Sequence, residues 1–130
     1  MINTFDLKEN EDRLRKKNIV FQYSTSEQFT GNYWLNGKKI YCKTINIGTL
    51  PNSANSGVKT VSHGITSFNQ IVGISGIASS NREVLPMPHV NPWALSDCIT
   101  VRITTTDITI GTNGNKSEYS GYVTLYYTKN

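Results

Sequence analysis

The sequence predicts an all-β fold, an antiparallel β-sandwich of jelly-roll-like form over residues 21–130, preceded by a short helical or extended leader over residues 1–20. Three observations predict it. Apolar and polar residues alternate in short runs, most cleanly in Cys98–Thr104 and Tyr119–Thr128, which gives each run one face for a core and one for water. Turn-forming Gly, Asn and Pro separate the runs at regular intervals. Asn36-Gly37, set between Trp34 on one side and Ile40-Tyr41 on the other, is a strong local signal for a hairpin.

Residues 1–20 differ in character from the remainder of the chain. Thr4 is placed to cap a short helix, and Leu7 and Leu14 lie a heptad apart with charges between them. This reads as a solvated leader or as the end of a shaft that joins the domain to something longer. The abrupt switch to Asn18-Ile19-Val20-Phe21 favours the shaft.

From Ile19 the pattern is strand-like, and Ile19–Tyr23 is expected as the first strand, with Ser24–Gly31 a polar connection. The hairpin follows, its Asn36-Gly37 turn of type I′ with both residues at positive φ, and its second strand runs to about Ile47. Trp34 is expected to enter the sheet-on-sheet core or a subunit seam. Gly48–Gly57 is loop, Val58–Val61 a strand closed by Ser62-His63-Gly64, and Gln70–Ala78 a strand whose Gly73 and Gly76 mark a bulge or a close backbone approach. Glu83–Leu85 is a short strand. Pro86, Pro88 and Pro92 then impose an irregular loop to about Ser96. Ile99, Val101 and Ile103 share one face of the next strand; Asp107–Ile110 adds another, and Gly111–Lys116 turns the chain. In the closing strand Val123, Leu125 and Tyr127 occupy one face and Tyr122, Thr124 and Tyr126 the other.

Composition narrows the function. The chain has 130 residues, which suits one domain with a true core. It holds no run of about 18 apolar residues for a membrane span, and its start lacks the basic and apolar regions of a secretory signal. The net charge is +4, but nine of the charged residues lie in 1–20 with nearly balanced sign, and the remainder are thinly spread. A nucleic-acid surface needs clustered Lys and Arg, so that partner is not expected. Asn, Ser and Thr supply 41 residues, a polarity of amides and hydroxyls common in secreted and virion β-proteins. Cys42 and Cys98 read as free, small and buried, with a bridge between them the alternative.

Three landmarks carry a family resemblance. Gly31-x-x-Trp34-x-x-Gly37-Lys38-x-Ile40-Tyr41-x-Lys43-Thr44 resembles the G-x-W-x-DGK-x-I/V-Y-x-K-T hairpin of distal domains in tailed-bacteriophage tail-fibre and baseplate proteins, with Asn36 in place of the usual Asp. Val61-Ser62-His63-Gly64-Ile65 resembles their V-x-HGI segment, and Val123 to Lys129 their closing V-x-I-x-YTK. The resemblance covers residues 21–130. It implies a homotrimeric β-sandwich head in the virion tail, which contacts other tail proteins and attaches to a bacterial surface polysaccharide or other receptor. Loops and not landmarks would carry specificity.

The residues add little sign of catalysis. Five carboxylates follow residue 20 and none forms an evident pair of the kind glycosidases use. His63, in a Ser-His-Gly-Ile turn, reads as a structural residue bonded to backbone, with a base or ligand the alternative; two isolated histidines make no metal site, and no phosphate loop precedes a helix. No catalytic, cofactor or metal residue is therefore expected. Sugar binding fits better, because a neutral glycan needs an aromatic face with amides and hydroxyls around it. Trp93, on the proline-stiffened Val90–Ala94 loop, is the candidate platform, with Asn91, His89 and Arg82 as polar neighbours. The competing role for Trp93 is to plug the end of the sandwich or a seam. Assembly within the particle and, further off, polysaccharide cleavage are the alternative functions.

Overall fold

The computed structural model describes residues 21–130, and the expected leader over 1–20 lies outside them. Eight strands form two antiparallel sheets: β1 (Gln28–Tyr33), β2 (Lys39–Thr49), β3 (Val58–Ser62), β4 (Phe68–Ser79), β5 (Val84–Pro86), β6 (Ile99–Ile103), β7 (Asp107–Thr112) and β8 (Ser120–Lys129). The larger sheet has the order β1-β2-β8-β4-β5 and the smaller β3-β7-β6. Among the described residues the only helical piece is a 3₁₀ turn at Ser53–Asn55, capped by the Asn52 side chain.

One apolar cluster draws on both sheets. Ile45 and Ile47 of β2, Ala78 of β4, Val123, Leu125 and Tyr127 of β8 meet Ile99 of β6 and Ile108 and Ile110 of β7, with Leu50 and Met87 closing the gaps. The alternation read from the sequence produces this. Val123, Leu125 and Tyr127 are fully buried while Tyr122 beside them is 46 % exposed. Each buried aliphatic side chain stabilises the fold by about 1.5–3 kcal/mol. β5 carries Pro86 at the sheet edge, where a missing N–H costs no ladder bond.

Three expectations need correction. The Asn36-Gly37 turn is not of type I′. Only Gly37 has positive φ, at 80°, and the Trp34 N–H donates to the Lys38 carbonyl at 2.8 Å while Gly37 N–H donates to the Trp34 carbonyl at 2.9 Å. This is a three-residue loop, a turn of ordinary hand closed by a left-handed glycine. Of the expected first strand Ile19–Tyr23, residues 19–20 lie outside the described residues and Phe21–Tyr23 is irregular; β1 forms from Gln28, inside the stretch read as a connection. A bulge between Phe29 and Tyr33 explains why, since it interrupts the period that marks a strand.

Trp34 is the third. Of the two places expected for it, the structure overturns the core and leaves the subunit seam. Trp34 is half-buried on the opposite side of the large sheet, beside Tyr126 and Gly73. Gly73 behaves as its position in the strand predicts, because β4 bulges between Ile71 and Gly73 and a Cβ at Gly73 would stand 3.2 Å from the Tyr126 ring. Cys42, paired in register with Tyr126, is buried on that same outer side, and burial raises its thiol to about 11. Cys42 and Cys98 are both free thiols.

At one end of the sheets the chain is fastened by polar groups. His63, 1 % exposed, accepts the Ile65 N–H on Nδ1 at 3.1 Å, so Nε2 carries the proton and donates to the Thr104 carbonyl at 2.9 Å. The Lys43 ammonium donates to the His63 carbonyl at 2.7 Å. The structural reading of His63 accounts for both of its ring nitrogens. Nearby, Glu27 accepts from the Tyr127 hydroxyl at 2.6 Å and from the Lys129 ammonium at 3.0 Å, which ties the segment before β1 to the end of β8. Burial alone would raise the Glu27 carboxyl; the Tyr127 and Lys129 bonds outweigh it and hold the group below its ordinary value.

Candidate functional site

The loop between β5 and β6 lies at the other end of the sheets, beside the β7–β8 connection. It opens with a cis Met87–Pro88 bond, and a pair of backbone bonds joins His89 to Ile99 at 3.0 and 2.8 Å, so the loop leaves and re-enters through a narrow neck. Within the neck the Asn91 side chain organises the turn. Its Oδ1 accepts the Trp93 N–H at 3.1 Å, its Nδ2 donates to Asp97 Oδ2 at 3.1 Å, and its backbone carbonyl accepts the Ala94 N–H at 3.2 Å. An asparagine that bonds the backbone two residues on is a turn former, and Pro92 at the next position fixes φ.

Asp97 is the hub. Besides Asn91 it receives the Lys116 ammonium on Oδ1, and His89 Nε2 lies 3.4 Å from Oδ2, too far for a good hydrogen bond. The Lys116 bond first, then the Asn91 bond, holds the Asp97 carboxyl well below the usual carboxylate range. Lys116 is itself buried, and its ammonium stands 5.4 Å from the centre of the Tyr119 ring. Steric fit adds a further clamp: a Cβ at Gly114 would run into the backbone carbonyl of Ser96.

Held this way, the loop turns its polar groups inward and its apolar ones outward. Trp93 is 92 % exposed, and Val90 and Leu95 are each 69 % exposed. The ring does not fold back to plug the end of the sandwich. Of the four residues expected to form the site, Asn91 bonds Asp97 and braces the loop, while His89 holds the neck through its backbone and its Nε2 is buried near Asp97 without a hydrogen-bond partner. Arg82 belongs to the neighbouring β4–β5 turn and pairs with Glu118. Next to it, the Tyr119 hydroxyl donates to Glu83. The polar groups nearest Trp93 thus support its backbone, and any ligand contact they make is through their outer edges.

Sequence reasoning missed Asp97 and Lys116. The Asn91-Pro92-Trp93 turn signal pointed at the loop but not at its anchor, because a Lys–Asp pair 19 residues apart leaves no local pattern. The carboxylates after residue 20 each have their own partner: Glu27 with Tyr127 and Lys129, Glu83 with Tyr119, Asp97 with Lys116, Asp107 with Thr106, Glu118 with Arg82. Among the described residues no three His, Cys, Asp or Glu side chains gather as a metal site would require, and no helix is long and apolar enough to cross a membrane.

Comparison of the chain with protein-family models, with curated proteins and with solved structures finds no match.

Proposed function

We propose that this protein is an adhesive head domain of a tailed-phage tail-fibre or baseplate protein, trimeric in the virion, which binds a bacterial surface glycan through the Trp93 loop. One observation carries the reading. An indole is held almost wholly in water by a loop whose Asn91 side chain bonds Asp97 beneath it, while Asp97 in turn bonds Lys116. A fold gains nothing from that arrangement, since an exposed tryptophan buries no area; a binding platform needs it. The ring offers a flat apolar face to the C–H side of a sugar, and the surrounding surface of amides and hydroxyls suits neutral hydroxyl groups. Single sites of this kind are weak, and three on one particle tip act together by avidity.

The strand order supports the jelly-roll-like reading. β2, β8 and β4 are neighbours in one sheet, while β3 and β7 pair in the other, so the chain repeatedly crosses between them. The landmarks that resemble tail-fibre domains fall on scaffold: the hairpin turn, the His63 turn and the closing strand β8.

Assembly is the second reading, and Val90 and Leu95 favour it, because two aliphatic side chains beside the indole enlarge an apolar surface that a protein partner would cover. Cell binding separates the two. The full chain and its Trp93→Ala variant are incubated with host bacteria and with purified surface polysaccharide, with light scattering to give the oligomeric state. Binding that falls at least tenfold in the variant supports adhesion. Absence of binding by the unaltered trimer assigns the loop to assembly.

A further inference from the structure

The outer side of the large sheet holds a second feature, centred on a tryptophan expected in the core. Two depressions lie end to end along it. The lower, about 430 Å³, is walled by Trp34, Phe21, Tyr23 and Tyr126, with Thr30 and Asn32 beside them. The upper, about 300 Å³, has Tyr23 and Tyr122 with Thr44, Ser75 and Thr124. Tyr23 borders both, and its hydroxyl meets the Tyr126 hydroxyl at 2.9 Å on the ridge between them. Both volumes fall in the range where small-molecule sites begin, about 300 Å³.

The lining has a definite chemistry. Aromatic rings and the aliphatic Ile40, Val72 and Ile77 make most of the walls, with hydroxyls and one amide among them, and no charged side chain lines either depression. An anion or a cation would lose its hydration here with no partner to replace it. Thr44 and Thr124 bond each other at 2.9 Å and Thr30 bonds the Ile40 carbonyl at 2.8 Å, which leaves spare lone pairs and one hydroxyl proton of the Thr44–Thr124 pair for a polar ligand. A ligand with apolar faces and many neutral hydroxyls satisfies both kinds of wall. The groove is also prepared for its aromatics: Gly73 lacks the Cβ that would displace the Tyr126 ring.

We propose that this outer-sheet groove is a second glycan site, which holds two consecutive units of an uncharged oligosaccharide, one on each side of the Tyr23–Tyr126 ridge. It shares the ligand class with the Trp93 loop and nothing else, so each site stands or falls alone.

The chain contains two tryptophans, Trp34 and Trp93, and this makes the groove directly readable. In the full-length Trp93→Phe variant Trp34 is the sole indole. It is titrated with linear tetrasaccharides of glucose, mannose and galactose, the corresponding mono- and disaccharides, and a galacturonate tetramer, with indole emission as the readout. At least one neutral tetrasaccharide is expected to shift the emission saturably. The matching monosaccharide should bind at least tenfold more weakly than the disaccharide. Tyr23→Ala, at a residue 59 % exposed, should weaken the binding tenfold or more, and Asn32→Ala should weaken it in a protein whose melting is unchanged. A flat titration across the neutral panel overturns the proposal, as does equal binding of the uronate. Emission that moves with protein concentration alone also overturns it and assigns the face to a second copy of the chain. Loss of cell binding in Trp93→Ala leaves the Trp34 titration untouched, so failure at one site cannot be mistaken for failure at the other.

Discussion

The His63 turn and the Trp93 loop stand at opposite ends of the sheets, and each contains a histidine, yet they are fastened by different forces. His63 is sunk in the fold and both ring nitrogens are bonded to backbone. The Trp93 loop is fastened by charge, through Asp97 and the buried Lys116. In the first, the side chain completes the interior and nothing remains to offer outside. In the second, the interior contacts are made by neighbours so that the most apolar side chain is left in water. A satisfied buried residue marks scaffold; an exposed indole above a satisfied hub is the feature on which the proposed binding role rests.

The contrast can be broken from either end. The largest effect is expected for His63→Ala, which leaves the Ile65 N–H and the Thr104 carbonyl without partners around a cavity and should cost about 4 kcal/mol in urea unfolding. A cost under about 1 kcal/mol would show that the turn does not depend on its imidazole. Asp97→Asn comes next, at about 2 kcal/mol, because Lys116 is buried and would keep its charge beside a neutral neighbour, while solvent at the 37 % exposed Asp97 screens part of the loss. It also sharpens the difference in kind. Asp97 is depressed in the folded state, so the unfolded chain takes up its proton first as the pH falls, and the stabilisation present above about pH 4 is lost below it. Glu27 acts in the same direction. Melting curves between pH 6 and pH 3 should therefore fall less steeply for Asp97→Asn than for the unaltered protein, and identical slopes would remove Asp97 from the account.

Gly114→Ala should cost about 2 kcal/mol, since the Ser96 backbone must retreat, and amide exchange at Trp93 and Ala94 should quicken with it. The smallest change in stability belongs to Trp93→Ala, within about 0.5 kcal/mol, because the ring packs on almost nothing. That variant carries the sharpest contrast: stability intact and, on the adhesive reading proposed above, cell binding lost. A large drop in its melting temperature would mean that the ring supports the fold.

Much of the architecture was legible because strands with one buried face write their parity into the sequence. β6 and β8 are the clearest cases, with Ile99 and the Val123–Leu125–Tyr127 series facing inward as the alternation requires. Legibility fails where parity is interrupted. The bulge in β1 hid that strand and displaced the expected start to Ile19–Tyr23. The inserted residues also defeat any inference about which face Trp34 takes, since one extra residue reverses every side chain beyond it. At the site, Trp93 and Asn91 were readable from turn chemistry, whereas Asp97–Lys116 joins two loops that only the folded sheets bring together.

The placement of the two ends has a mechanical consequence. β8 is ten residues long, so about 30 Å of strand separates the Glu27 fastening from the β7–β8 connection on which the Trp93 loop leans. Tension applied at the indole and resisted at Glu27 would act along β8, while its ladder bonds to β2 and β4 lie across the pull. Many of those bonds would share the load in shear, in place of parting one after another as in peeling, which is the geometry that the adhesive role proposed above would require.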